Sequence, residues 1–259
     1  MEMPMPFESY TELQGFFWVF IRISVIVFFL PLLGARGIPT TWKIGFSLAL
    51  TLLLIPQVRL PTTYPETTPE LLLGLASEVL FGFILVFGVR ILLASVQMAG
   101  QFMGFQMGFS MARVLDPNEG TQSETLSQVL YIFTILIFLA LDGHHVFFRA
   151  LAVSFEAVPI HGFSLRPQIY DLVLKASGQM FVLAIKIAAP IIITLFLANL
   201  CLGIVARTVP QVNILMIGFP INIVLGMILL MLVLSGMVPL IKEIIRQMDG
   251  FFISVIQSR

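Results

Sequence analysis

Charged residues are spaced so widely along this chain that long stretches offer nothing polar to water. Between Glu12 and Arg36 the only charge is Arg22, between Lys43 and Arg59 there is none, and between Glu70 and Arg90 there is only Glu78. The intervals Glu124 to Asp142, Lys186 to Arg207 and Arg207 to Lys242 are free of charge inside their bounds. A helix crosses the hydrocarbon of a bilayer with about 20 apolar residues, within a range of about 17–25. The intervals therefore predict six helices, over 13–33, 42–59, 71–93, 125–142, 178–206 and 212–241. The second is short, and the sixth is interrupted by Pro220 with Pro239 near its end.

Composition excludes the main alternatives. The 259 residues are 58% apolar and 11% charged, with mean hydropathy +1.02, where a soluble domain is about one-quarter charged. A soluble fold of this size would leave large apolar patches facing water, and such patches associate. The formal net charge is zero and no basic stripe is present, which argues against a nucleic-acid partner. Cys201 is the single cysteine, so neither an internal disulfide nor a thiolate metal cluster is available. Its neighbours Leu200 and Leu202 predict a buried, inert thiol. Glu2, Glu8 and Glu12 precede the first basic residue, Arg22, whereas a secretory signal begins with positive charge. The first apolar run therefore reads as a retained span.

Three polar stretches separate the predicted spans. Residues 61–69 hold three prolines, which remove donors and clash with a continuing helix. Arg113 to Glu124 carries Asp116-Pro117-Asn118 and Gly120, which is turn chemistry. Asp142 to Lys175 reads as the longest loop, with Pro159, Gly162 and Pro167. The charges flanking the spans conflict. The acidic N-terminus and the Arg36/Lys43 loop place the N-terminus outside by the positive-inside rule. Arg149, Arg166 and Lys175, and then Lys242, Arg246 and Arg259, would fall outside as well. Either the spans are miscounted or the helices do not finish as an ordinary bundle in lipid.

Arg22, Glu78 and Lys186 lie inside predicted spans. A charge at the bilayer centre costs about 2.5–3.5 kcal/mol on insertion scales, so each is expected to face protein or water. One reading is an ion or proton pathway; the other is a buried inter-helix or inter-subunit pair. A relay needs neighbouring acids, and Glu78 stands alone. Pro190 and Pro220 are expected to break or kink their helices, as at transporter binding sites or simply for packing.

The segment from Gln97 to Asp116 reads QMAGQFMGFQMGFSMARVLD. Gly100, Gly104 and Gly108 share one helix face, a tandem small-xxx-small pattern that lets another backbone approach. Met103, Met107 and Met111 repeat at the same spacing, about 60° round the helix. Gln97, Gln101, Gln106 and Ser110 make the segment too polar to face lipid. Such a methionine stripe is either core packing or a soft constriction, since methionine conforms to varied partners. Catalytic motifs are missing. Gly108-Phe-Ser-Met and Gly162-Phe-Ser-Leu lack the last glycine of G-x-S-x-G. His144 and His145 are adjacent, diverging by about 100° on a helix, and are not expected to share a metal. The sequence contains no phosphate-binding loop, and the chain is not expected to be an enzyme or to need a cofactor.

GQFMGFQMGFS (100–110) with Leu115-Asp-Pro117, LDGHH (141–145) and RTVPQVNILMIGFPI (207–221) resemble the FliR family of flagellar biosynthesis proteins. That family includes the export-apparatus T subunit of virulence injectisomes. Phe28–Pro31 and Ile38-Pro39 fit the same pattern, and the resemblance covers nearly the whole chain. It implies an all-α fold of polytopic membrane-inserted helical hairpins with kinked or broken helices, assembling into a helical export gate. The implied partners are the FliP and FliQ subunits, the FlhB switch protein and the unfolded polypeptides that pass through. The implied location is the bacterial inner membrane at the flagellar basal body, with the assembled ring standing largely proud of the bilayer. Residues 1–170 would be the P-subunit-like half, with a plug loop at about 106–122, and 171–259 a Q-subunit-like hairpin. The resemblance places Met103, Gln106, Met107, Phe109, Met111, Arg113, Val114, Leu115 and Asp116 at the pore or plug. It places Gly100, Gly104, Gly108, Pro210, Gln211, Asn213, Gly218, Phe219 and Pro220 in helix packing and assembly. The alternatives are an injectisome T subunit and a secondary transporter built on Glu78, Lys186 and Pro190.

Overall fold

A computed structural model describes residues 10–31, 38–61, 64–65, 67–109, 122–208 and 214–257. The described residues form eight α-helices: α1 Tyr10–Phe29, α2 Thr40–Leu54, α3 Thr68–Gln106, α4 Gln122–Ala140, α5 Gly143–Ala157, α6 Pro167–Thr208, α7 Ile214–Ser235 and α8 Met237–Gln257. A short 3-10 turn, Ile55–Gln57, follows α2. No strand occurs among the described residues. The fold is all-α, as expected.

Four helices are long and apolar enough to cross a membrane, within Glu12–Phe29, Thr68–Gln106, Pro167–Thr208 and Met216–Ser235, and a fifth span results if α4 and α5 count together as one broken span. This corrects the six predicted spans. The second, 42–59, shrinks to the 15 residues of α2, too few to cross unaided. The third does not stop at 93, because the glycine–methionine segment continues α3 as far as Gln106. The sixth divides at Gly236, whose N–H donates to Val233 O (3.1 Å) and Leu232 O (3.3 Å), closing α7 before α8 begins. Much of the expected loop from Asp142 to Lys175 is the helix α5 and the first turns of α6. Pro190 and Pro220 lie inside continuous helices rather than at breaks. Proline removes one helical hydrogen bond but leaves the flanking turns able to continue.

The chain divides into two compact units, neither continuous in sequence. One comprises residues 1–90, 143–176 and 246–259, the other 91–142 and 177–245. In the first, α1, the opening half of α3, α5 and the end of α8 bury Trp18, Ile23, Phe81, Leu85, Leu151, Phe155 and Phe252. In this unit α2 packs on α1 with its expected polarity reversed. Its buried residues are Ser47 and Thr51, whose hydroxyls donate to Lys43 O and Ser47 O one turn back. Its large apolar side chains, among them Trp42, Leu48 and Leu53, face outward. Small residues inside and large apolar residues outside is the pattern of a helix surrounded by lipid or other apolar helices.

In the second unit the closing half of α3 packs on α4 and α7, and Leu93, Val96, Met103, Met107, Leu130, Ile187, Ile191 and Leu230 are buried. Its α7 presents the opposite extreme, with Met216, Val224, Ile228, Met231 and Leu232 all exposed. The C-terminal helix α8 is amphipathic in the manner of a water-facing helix. Met237, Ile241, Ile244, Met248, Phe251 and Val255 are buried at spacings of three and four, while Lys242, Arg246 and Gly250 are exposed.

Candidate functional site

The site begins where α3 ends. Helix geometry puts Gly100, Gly104 and Gly108 on one face, and the structure uses that face for close packing. A Cβ on Gly100 would lie 2.7 Å from Ser127 Cα, so the backbones of α3 and α4 touch there. Gly104 is also buried. The helix then closes in a tight turn. Met107 N–H donates to Met103 O (2.9 Å) and Gly108 N–H to Phe105 O (3.1 Å). Gly108 has φ +91, a backbone state that terminates helices and that L side chains rarely adopt. Its Cα faces Phe219 of α7, whose Cδ1 and Cε1 would lie 2.9 Å from any added Cβ.

Met103 and Met107 are completely buried. Met107 lies against Gly226 of α7, where an added Cβ would stand 2.6 Å from the Met107 Cγ and Cε. Gly218, Asn222 and Gly226 repeat every fourth residue and are all buried. They give α7 a small-residue face, on which Asn222 Nδ2 donates to Asn199 Oδ1 of α6 (2.8 Å). Sequence reasoning missed Asn222 and Gly226, although their spacing from Gly218 was readable. Gln106 and Phe109 are half-buried and Pro220 is exposed, while Phe105 is 70% exposed. The side of α3 away from the methionines is thus the open one. Met111, Arg113, Val114, Leu115 and Asp116 lie outside the described residues, as do Pro210, Gln211 and Asn213.

The in-span charges separate into two cases. Arg22 and Glu78 meet with both side chains fully buried. Arg22 Nε donates to Glu78 Oε2 (2.5 Å) and Nη2 to Oε1 (2.9 Å). The remaining guanidinium hydrogens reach Ser154 O (3.3 Å), Val158 O (3.0 Å) and Pro159 O (3.3 Å) at the end of α5. All five donors of the guanidinium are therefore used. Glu78 Oε1 also accepts His161 N–H (2.7 Å), and His161 holds φ 51 to present it. Phe81 and Phe155 lie over the guanidinium at 4.9 and 4.7 Å, a cation–π contact strengthened by desolvation. A carboxylate accepting three hydrogen bonds in a closed shell is a structural clamp, and it leaves no room for a proton relay. His161 was not foreseen, because its contribution is a backbone N–H. Its ring lies 5.6 Å from Trp18 and 6.5 Å from Tyr64. Burial pushes the Tyr64 hydroxyl above its ordinary value of 10, so it is protonated at neutral pH.

Lys186 is exposed on α6, and among the described residues it has no ion-pair partner, so of the expected pairings the one within this chain is not formed there. Cys201, expected to be buried, is exposed as well. The Cys201 expectation failed because an apolar sequence neighbourhood does not say whether the surrounding apolar matter belongs to the same chain. The His144 and His145 rings come within 4.2 Å of one another, closer than the helical divergence of adjacent residues suggested, because side-chain torsions can close the gap. Asp142 joins them, and one ligand atom from each of the three side chains lies within 4.8 Å of the others, a convergence of three donors that the adjacency of the histidines did not suggest.

Residues 13–248 match the family described as "Bacterial export proteins, family 1". The flagellar biosynthetic protein FliR of Bacillus subtilis is 34% identical over 235 residues, covering 89% of this chain and 90% of that protein. FliR of Pectobacterium carotovorum is 33% identical over 229 residues, covering 88% and 87%, and FliR of Escherichia coli is 28% identical over 247 residues, covering 95% and 94%. With a family match across nearly its whole length and relatives above 30% identity, the chain belongs to the bacterial export proteins, family 1.

Proposed function

We propose that this chain is a core subunit of the flagellar protein export gate in the bacterial inner membrane, where it helps form and seal the passage for unfolded polypeptides. The observation that carries the reading, beyond family membership, is the construction of the α3 end. Two buried methionines and a left-handed glycine anchor the helix terminus onto α7, and the chain then continues through residues 110–121. A buried, closely packed helix end followed by a segment whose sequence is polar and rich in turn residues suits a plug.

In this reading Met103 and Met107 fix the base. Phe105, Gln106 and Phe109 line the open side, and Met111, Arg113, Val114, Leu115 and Asp116 supply the stopper. Residues 1–170 act as the half that resembles a P subunit and 171–259 as the hairpin that resembles a Q subunit. FliP, FliQ and FlhB are the neighbours, and the exposed apolar faces of α2, α6 and α7 are where a neighbour would sit. The chain works by sealing and packing, with the energy supplied elsewhere in the machine. A transporter reading loses its acid, because Glu78 is saturated by Arg22 and His161.

Deletion of residues 110–120 tests the plug. The expected outcome is an assembled complex with a membrane that leaks ions or small molecules, read as dye or ion flux in cells or vesicles. An intact complex in a tight membrane would show that the segment does not seal the passage.

A further inference from the structure

The turn that leads from α4 into α5 holds three metal-ligating side chains in four consecutive residues, Asp142-Gly143-His144-His145. One ligand atom from each of Asp142, His144 and His145 lies within 4.8 Å of the others. All three belong to one short segment, so the turn itself sets their separation. Helix α4 closes with Leu141 N–H donating to Ile137 O (2.9 Å) and Asp142 N–H to Leu139 O (3.1 Å). Asp142 then takes φ 56, a left-handed state that aspartate tolerates better than most residues. His144 and His145 follow at once in the first turn of α5, with ring centroids 4.2 Å apart.

His144 also carries an unmet group. Its ring stands edge-on to Phe148, one turn along α5, with centroids 6.5 Å apart. Its Nδ1 is buried with no hydrogen-bond partner. Buried polar atoms are almost always bonded, and an exception calls for a water, an ion or a ligand. A cation at Nδ1 would fill its lone pair. Asp142 immediately precedes α5, where an aspartate commonly caps the helix. Capping would account for the carboxylate, but not for the paired imidazoles or the buried Nδ1.

The donor set selects the ion. Two imidazoles and one carboxylate suit zinc and the other borderline divalent transition metals, whereas magnesium and calcium take oxygen ligands. Zinc binds such donors at about 2.0–2.2 Å, and an open site completes its tetrahedron with solvent. Two ligand atoms on one tetrahedral ion then stand roughly 3.4 Å apart, a small closure from the separations here that side-chain torsions can supply. Asp142 and His145 are exposed, so solvent reaches the open position. Arg149, one turn beyond His145, pairs with Asp249 (3.7 Å), which offsets its charge near the site.

We propose that Asp142, His144 and His145 form a site for a divalent transition-metal ion of the zinc class, which ties the left-handed turn at Asp142 to the first turn of α5. The site does not depend on the export-gate reading and would stand if that reading failed.

The test uses the full chain in its membrane complex, extracted in mild detergent through an affinity tag without histidine and stripped of metal with a chelator. The probe is the zinc ion alone, with the magnesium ion for comparison. Modification of the unsubstituted chain by diethyl pyrocarbonate is read by peptide mass spectrometry. Zinc is expected to slow modification of His145 by about tenfold, since a nitrogen lone pair given to a metal cannot react, and magnesium is expected to leave it unchanged. Bound zinc is then counted. His145→Gln and Asp142→Asn are each expected to lower the count by about one ion per copy of this chain. Asparagine adopts the same left-handed backbone, so Asp142→Asn removes the charge and keeps the turn. Asp171→Asn, at an exposed acid outside the cluster, is expected to leave the count unchanged. No protection by zinc, equal protection by magnesium, or an unchanged count in His145→Gln or Asp142→Asn overturns the proposal. An equal fall in Asp171→Asn also overturns it, by assigning the zinc to scattered surface acids.

Discussion

At the scale of single residues, the buried clamp of Arg22 and Glu78 is the strongest polar commitment in the chain. Removing one member of a buried ion pair strands the other, at a cost of about 3–5 kcal/mol, whereas replacing both with apolar residues is often nearly neutral. Glu78→Ala is therefore expected to be severely destabilising, and the double variant Arg22→Met/Glu78→Leu less so than either single change. Apparent melting in mild detergent checks this, and additive losses would contradict the clamp. The glycines divide in the same way. Gly100→Ala would drive a methyl group into the Ser127 backbone, an overpacking that costs about 1–3 kcal/mol. Gly178 has nothing within 4 Å of an added Cβ, so Gly178→Ala is expected to raise the melting point of the isolated chain through helix propensity, by about 1 kcal/mol. Equal effects from the two substitutions would refute the close contact of α3 with α4. The expense of an in-span charge is legible in sequence and correctly marked Arg22, Glu78 and Lys186 as residues needing explanation. The identity of each partner was not legible. Arg22 binds three backbone carbonyls that any sequence supplies, and Lys186 turns outward.

At the scale of elements, charge-free intervals located α1, α4 and α7 and missed α5 and α8. The reason is physical. Those two helices carry Arg149 and Glu156, and Lys242, Glu243, Arg246 and Asp249, all exposed or half-buried, and these break an interval without breaking a helix. Their apolar residues recur at three and four, as in Phe147, Leu151, Phe155 and Ile241, Ile244, Met248, so helical periodicity would have found them. The glycine–methionine repeat was readable as a packing face, and Gly100 packs as such. Its end at Gly108 was not readable, because three glycines at equal spacing give no sign of which one turns left-handed. Gly108→Ala is expected to cost about 1–2 kcal/mol from the backbone alone, beyond the contact with Phe219. Phe219→Ala in that background would then restore only part of the loss. Full restoration, measured as melting of the purified protein, would show that the glycine is needed for space and not for its φ of +91.

At the scale of the whole molecule, the recurring feature is apolar surface that the chain does not cover itself. Only 22% of the span window in α7 and 33% of that in α6 are buried, against 67% for α3. At about 58 and 63 Å, α3 and α6 are twice the thickness of a bilayer core of about 30 Å, so neither can lie wholly within one. Chain length and hydropathy announced a membrane-inserted protein. The flanking charges conflict for six spans, and the structure replaces those six with four, or five with α4 and α5 counted as one broken span. The central claim is that these surfaces are covered by other subunits of an export gate. Native mass measurement of the particle carrying this chain, extracted from membranes in mild detergent, tests it most directly. The account predicts a large particle in which this chain is a minor share of the mass beside other membrane subunits. A particle of 28.8 kDa or a simple multiple of it, built from this chain alone, would contradict the account.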